Sequence, residues 1–258
     1  MIKVPVFYYH SIGNRGPETL AVDRFREHLN RIKDLGFHTI TFSELRQLHC
    51  SDQKKYAVLT FDDGLLDNYD NALPALQEHG AKATFFVIPG FDNITRWVNP
   101  QTRRWSDEKR PGFSIPFPSM QPHHRRELIG LGMEIGCHSM THPKLNKIPR
   151  SALHAEIVDS KKQLEDELGI EISSFCYPKG RYNQHVLEYV KDAGYAGACT
   201  TMPGFYRPDG KPLECGRFLI ESCALFDKVL CWSSVVHHPS ELFFDAIRPL
   251  LRIKNRYL

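Results

Sequence analysis

No segment of the 258-residue chain approaches the roughly 18 consecutive apolar residues that a membrane span needs, which excludes a helical membrane protein. Strong charge of either sign is also missing. Lys and Arg number 33 against 30 Asp and Glu, a formal net charge of +3, too mild to imply nucleic acid without a recognisable binding module. The basic spots Arg103-Arg104, Lys109-Arg110, Arg125-Arg126 and Arg252, Lys254, Arg256 are short enough to read as solvated surface. Seven cysteines without a CxxC pair fit reduced thiols better than a disulfide framework. The opening MIKVPVFYYH lacks the charged start and longer apolar stretch of a secretory signal, so a cytoplasmic location is expected. Low complexity and a Pro/Gly/Ser-rich linker are absent too. With 41% hydrophobic residues, the chain can bury a real core as one domain over 1–258.

Short β-rich runs alternate with helical patterns that stop at glycine. VPVFYYH reads as a strand, and Asp23 is expected to cap a helix carrying Phe25, Leu29, Ile32 and Leu35, with Gly36 closing it and FHTITF following as a strand. YAVLTF and KATFFVI are strands, separated by a helix marked by Tyr69, Leu73 and Leu76, with Pro74 in its first turn and Gly80 past its end. Residues 91–120 show no period and predict a long loop inserted near one end of the fold. A helix from Ser151 to Gly169, the strand ISSFCYP, the helix QHVLEYVKDAG and the strand YAGACTT complete the alternation. Such βα repetition predicts an α/β fold, a parallel barrel or a partly open version of one, with functional residues at the C-terminal ends of strands.

Three strand ends carry chemistry. In Thr60-Phe61-Asp62-Asp63-Gly64 two adjacent carboxylates would point to opposite faces of a regular strand, so a turn at Gly64 is needed to aim both into one pocket. A plain turn with a helix cap is the bland alternative. In His138-Ser139-Met140-Thr141-His142-Pro143 two imidazoles lie four apart, and Pro143 pushes His142 toward an extended conformation, which favours a tight loop over a long helix. Two imidazoles plus one carboxylate form a recurrent catalytic-zinc set. Phe175-Cys176-Tyr177-Pro178-Lys179-Gly180 reads by itself as a Pro-Gly turn.

TFDDG followed by Tyr69, Pro74, Leu76, Gly80 and KATFFV, then HSMTH, FCYPKGRYN and AGYAGACTT, together resemble the polysaccharide deacetylases with a NodB homology domain, carbohydrate esterase family 4. The resemblance spans nearly the whole chain. It implies a distorted (β/α) barrel of about seven units and metal-dependent removal of N-acetyl groups from an amino sugar or an acetylated polysaccharide precursor. Carried over by position, Asp63, His138 and His142 would be the metal ligands, Asp62 the general base, and the Lys179 backbone N–H an oxyanion donor. The expected cofactor is a divalent metal, by default Zn²⁺, and the expected partner a carbohydrate substrate.

Two departures matter. Cys176 and Lys179 stand where the family's third motif has an arginine and an aromatic residue, so the salt bridge that orients the base must come from elsewhere, with Arg217 a candidate. The usual late histidine is not in its usual place. Tyr8-Tyr9-His10-Ser11-Ile12 resembles a permuted subgroup found among exopolysaccharide deacetylases, which makes His10 the favoured general acid over His237. The rival readings are the same site hydrolysing a non-sugar amide, and a catalytically silent carbohydrate-binding domain.

Overall fold

The computed structural model describes residues 2–13, 18–49, 51, 53–99, 104–106, 115–219 and 223–234. Seven parallel strands run through it: β1 (Val6–Tyr9), β2 (Lys55–Phe61), β3 (Thr84–Val87), β4 (Glu134–Cys137), β5 (Ser174–Cys176), β6 (Gly197–Cys199) and β7 (Phe218–Leu219). Their spatial order is β6-β5-β4-β3-β2-β1-β7, so six follow in chain order and the last returns beside the first. A bridge between Cys199 and Cys215 draws the two edges together. The result is a distorted (β/α) barrel. An additional strand, Phe37–Ile40, pairs with the first half of β2, while Thr60 and Phe61 at its other end pair with β3.

The strands read as nearly continuous apolar runs because helices cover one face and the barrel interior buries the other. Along β2 the pleat sends Ala57, Leu59 and Phe61 into the outer core beneath the helices. Val58 joins Val6, Phe86, Cys176 and Cys199 inside. Phe61 stacks between Tyr9 and Phe85, with ring centroids 5.4 and 4.8 Å away. The same alternation turns Thr60, and beyond it Asp62, toward the interior.

The helix Val22–Asp34 buries Phe25, Leu29 and Ile32 and ends before Gly36, whose φ of 73° suits glycine. The expected cap at Asp23 is not formed. Ala21 occupies the N-cap position without a side-chain bond, and Asp23 lies in the first turn, where its charge still favours the positive end of the helix dipole. The expected helix from Ser151 is broken into a 3₁₀ turn at Arg150–Ala152, a π-helical turn at Ala155–Asp159 and an α-helix at Ser160–Leu168. A second π turn, Asn68–Ala72, precedes the helix Leu73–Glu78.

Where a long loop was expected, Thr95–Asn99, Arg104–Ser106 and Ile115–Pro118 form a three-stranded antiparallel sheet. Its strands are short and proline-flanked, which masks their period in the sequence. Arg125 is also not solvated surface: its side chain is 1% exposed and donates to Asp92 and Glu167 at 2.8–2.9 Å. Cys137, Cys176, Cys199, Cys215 and Cys231 are free thiols. Among the described residues no helix is long and apolar enough to cross a membrane. Arg103, Lys109, Arg110, His237 and the basic residues 252, 254 and 256 lie outside the described residues.

Candidate active site

His10 follows β1, Asp62 and Asp63 follow β2, His138 and His142 follow β4, and Lys179 follows β5. One end of a parallel barrel therefore gathers them, as the alternation predicts. Four of the six non-glycine residues with positive φ among those described are in this group or between its members: Asp63 (71°), Ser139 (63°), His142 (61°) and Lys179 (56°). Backbone held in this region costs on the order of 1–3 kcal/mol per residue and clusters at functional sites.

The strain explains how neighbouring carboxylates serve one pocket. Asp62 keeps the inward direction set by the pleat of β2, and the left-handed turn starts at Asp63 itself, one residue before the expected Gly64. Gly64 continues it at φ 63°, where an added Cβ would lie 3.1 Å from the Val87 side chain. His142 departs from the extended conformation expected before proline. Its positive φ still avoids the right-handed region that Pro143 disfavours, and its N–H donates to Ser139 Oγ at 3.0 Å. The π turns hold this end from behind. Buried Glu156 accepts from Thr141 N–H at 2.9 Å and Thr141 Oγ1 at 2.5 Å, and Asn68 Nδ2 donates to the His10 carbonyl at 2.6 Å.

Asp63, His138 and His142 place one donor atom each within 4.8 Å of one another. Asp63 Oδ1 lies 3.6 Å from His138 Nε2 and 3.4 Å from His142 Nε2, yet it is buried without a hydrogen-bond partner. His138 Nδ1 donates to the Cys176 carbonyl at 2.7 Å, which leaves the Nε2 lone pair facing Asp63. Burial lowers the pKa of His138 and takes that of His142 to about 3, so both rings are neutral donors near pH 7. Burial opposes ionisation of Asp63, but in acid, where His142 and His138 carry charge, His142, Arg96, His10 and His138 outweigh it and hold the carboxyl well below its usual range. An orphaned carboxylate oxygen between two neutral imidazole nitrogens fits a divalent cation. Asp62, His138 and Cys176 also lie close together, but burial pushes the Cys176 thiol well up and Asp62 is fully engaged elsewhere, so that set lacks the charge to compete.

Arg217 engages Asp62. Its Nη1 and Nη2 donate to Oδ1 at 2.7 Å and Oδ2 at 2.8 Å. Nε reaches the Thr200 carbonyl, Nη1 also Thr60 Oγ1 and Nη2 also Cys176 Sγ, at 2.9, 2.9 and 3.0 Å. All five N–H groups of a fully buried guanidinium are thereby used, and its carbon lies 4.6 Å over the Tyr8 ring. Arg217 precedes β7, at the opposite end of that strand from the site, and its length carries the charge up the barrel interior. A thiol at position 176 leaves the space this guanidinium fills. Burial alone would raise the pKa of Asp62, but the Arg217 charge and fork hold it below the ordinary 3.8.

Replacing Arg217 with methionine should lower unfolding free energy by about 3–5 kcal/mol, because a buried carboxylate loses the guanidinium that pairs with it. The paired Asp62 stabilises the protein above its unfolded value near 3.8 and loses that contribution as pH falls through the lower folded value. Without Arg217 the desolvation loses its main counterweight, so the acid limb of any Asp62-dependent rate should move to higher pH. Denaturant titration and a pH–rate profile check the two effects, and an unmoved acid limb would separate Arg217 from Asp62.

His10 is partly exposed. Its Nε2 lies 3.7 Å from Glu18 Oε2, its Nδ1 is buried without a hydrogen-bond partner, and its charge is near enough to lower both Asp62 and Asp63. Around Lys179, Gly180 N–H bonds the Tyr177 carbonyl and Arg181 N–H the Pro178 carbonyl, leaving the Lys179 N–H outside the turn's own bonds. Arg96, missed in the sequence, donates from Nη1 to Asp63 Oδ2 at 2.8 Å. Glu156 was also missed. Neither sits in a motif; only contacts distant in sequence identify them.

Residues 49–198 match the family model of polysaccharide deacetylases. The chain belongs to the polysaccharide deacetylase family. YxkH of Bacillus subtilis (strain 168) is 30% identical over 206 residues, covering 78% of this chain and 66% of that protein. The peptidoglycan-N-acetylglucosamine deacetylase of Bacillus cereus is 28% identical over 145 residues, 56% of this chain and 55% of that one. This deacetylase-family chain thus spans just under two thirds and about half of those relatives. Streptococcus pyogenes deacetylase PplD, solved with acetate, superposes with a TM-score of 0.71 at 26% identity over 85% of this chain and 92% of that one. IcaB from Ammonifex degensii shares the fold, with a TM-score of 0.74 at 21% identity over 91% of this chain and 98% of that one.

Proposed function

We propose that this member of the family is a metal-dependent hydrolase that removes the N-acetyl group from an amino sugar within a saccharide. The observation that carries the reading is the orphaned Asp63 Oδ1 between two neutral imidazoles, one residue from a carboxylate locked by Arg217. Peptidoglycan N-acetylglucosamine deacetylation by a relative and bound acetate in PplD support the substrate class.

Asp63, His138 and His142 would hold the ion, with Zn²⁺ the default for this donor set. Such an ion supplies Lewis acidity and lowers the pKa of a water toward 7. Asp62 takes a proton from the attacking water; Arg217 keeps it ionised and fixes its direction, which raises the fraction of productive encounters. The Lys179 N–H donates to the oxygen that gains charge. His10 protonates the departing amine.

A cleft of about 310 Å³ that includes Gly13, three residues after His10, is lined by Asp67, Asp70 and Asn71 together with Pro116, Phe117 and Pro118. Asp67 is hydrogen-bonded to Ser11, next to His10. Polar groups facing an apolar wall match the hydroxyls and CH face of a pyranose ring, and we assign the neighbouring sugar to this cleft.

Mass spectrometry of acetylated amino-sugar oligomers, set against small cyclic and linear amides, tests the reading. Loss of acetyl from the sugars alone is expected. Hydrolysis of the non-sugar amides alone would replace the substrate, and no hydrolysis of either by metal-loaded protein would leave a silent binding domain. His10→Ala should keep fold and metal while losing on the order of 10²–10⁴ in kcat. His237→Ala should be nearly silent. The opposite pair of outcomes would move the general acid to His237.

A further inference from the structure

Arg96 comes from the strand Thr95–Asn99 of the inserted sheet, outside every motif that marks the site. Its cross-strand partner is Phe117, so the face that presents Phe117 to the cleft also presents Arg96 to Asp63. The guanidinium lies 5.5 Å over the Phe91 ring and donates to Asp63 Oδ2 at 2.8 Å, with side-chain exposures of 15% and 4%. The two oxygens of Asp63 are thereby divided: Oδ2 is engaged by Arg96, and only Oδ1 faces the imidazoles. A carboxylate can ligate a cation through one oxygen or both, and a catalytic site must keep a position open for water and substrate.

We propose that Arg96 is a positioning residue that limits Asp63 to one ligating oxygen and limits how tightly the site holds its cation. The proposal rests on the reading of Asp63, His138 and His142 as a metal site. A fixed positive charge beside a dication repels it, and the low local dielectric strengthens that repulsion. A hydrogen bond on Oδ2 also prevents the carboxylate from rotating both oxygens inward. In the absence of a cation the Arg96 hydrogen bond to Oδ2 holds the Asp63 side chain in place, so the donor set stays assembled. The inserted sheet therefore tunes the site as well as walling the cleft.

Cobalt(II) loaded into the full chain is the probe, with visible absorption reporting coordination number and a chelator time course reporting retention. Arg96→Gln should release cobalt more slowly, by about 10–100-fold, the range seen when groups behind metal ligands are changed. Its visible bands should weaken as the freed Oδ2 raises the coordination number. Arg96→Lys keeps the charge but reaches less far toward Oδ2; it should fall between wild type and Arg96→Gln in both readouts, and it decides the question if Arg96→Gln does not fold. Release at or above the wild-type rate with an unchanged spectrum in the folded variants would reduce Arg96 to a structural pin. Failure of the wild-type protein to bind cobalt would instead remove the metal site and this inference together.

Discussion

Asp63→Ala, His138→Ala and His142→Ala should each abolish stoichiometric divalent-metal binding, read by elemental analysis after gel filtration. A three-ligand set that leaves positions for water and substrate has no spare member. The three differ in what remains. Asp63→Ala removes the only anion of the three-ligand set and leaves Arg96 facing two imidazoles, so its loss should be the most complete. His142 is the more peripheral ring, its side chain 14% exposed against 3% for His138, so His142→Ala should lower stability least. Full occupancy in all three variants would refute the site. Removing metal from the wild-type protein should abolish turnover while leaving the fold, because the donor set is already assembled by the 139–142 loop, Glu156 and Arg96.

Asp62→Asn should show the complementary pattern: metal retained, turnover lower by about 10²–10⁴-fold, the usual contribution of a general base. Asparagine matches the carboxylate in shape but cannot take a proton at neutral pH. Its amide nitrogen would also turn a donor toward one arm of the Arg217 fork, where all N–H groups already point. The variant should therefore lose stability as well as rate. Arg217→Met combined with Asp62→Asn tests the coupling: removal of both partners should cost less stability than the sum of the single changes. Near-normal turnover in Asp62→Asn would remove Asp62 from the mechanism, and additive stability losses would show that the fork does not act as a unit.

Much of the fold was legible locally. VPVFYYH, YAVLTF, KATFFVI and ISSFCYP each contain a barrel strand, because a strand buried on both faces has to be apolar and β-branched or aromatic along its whole length. Glycines at 36, 80 and 169 mark helix ends because each takes a positive φ that other residues adopt at a cost. The stretch from 91 to 120 was not legible, since three short strands with prolines and charges carry too few residues to show a period of two. The buried Arg125 misled for a related reason: a charged pair in sequence looks like surface unless its partners, Asp92 and Glu167, are known to converge on it.

The sequence by itself determined the family, the parallel strand-and-helix order and the identity of the residues at the strand ends, because backbone turns, apolar runs and adjacent chemical groups are local properties. It could offer Arg217 only as a candidate partner for Asp62. The tertiary structure decided that partnership across 155 positions, brought Arg96 from the inserted sheet onto Asp63, and pinned the His138–His142 loop through Glu156. These choices depend on which distant side chains the distorted barrel brings within hydrogen-bond reach and on the space a thiol leaves at position 176. Neither quantity is contained in any one segment of the chain.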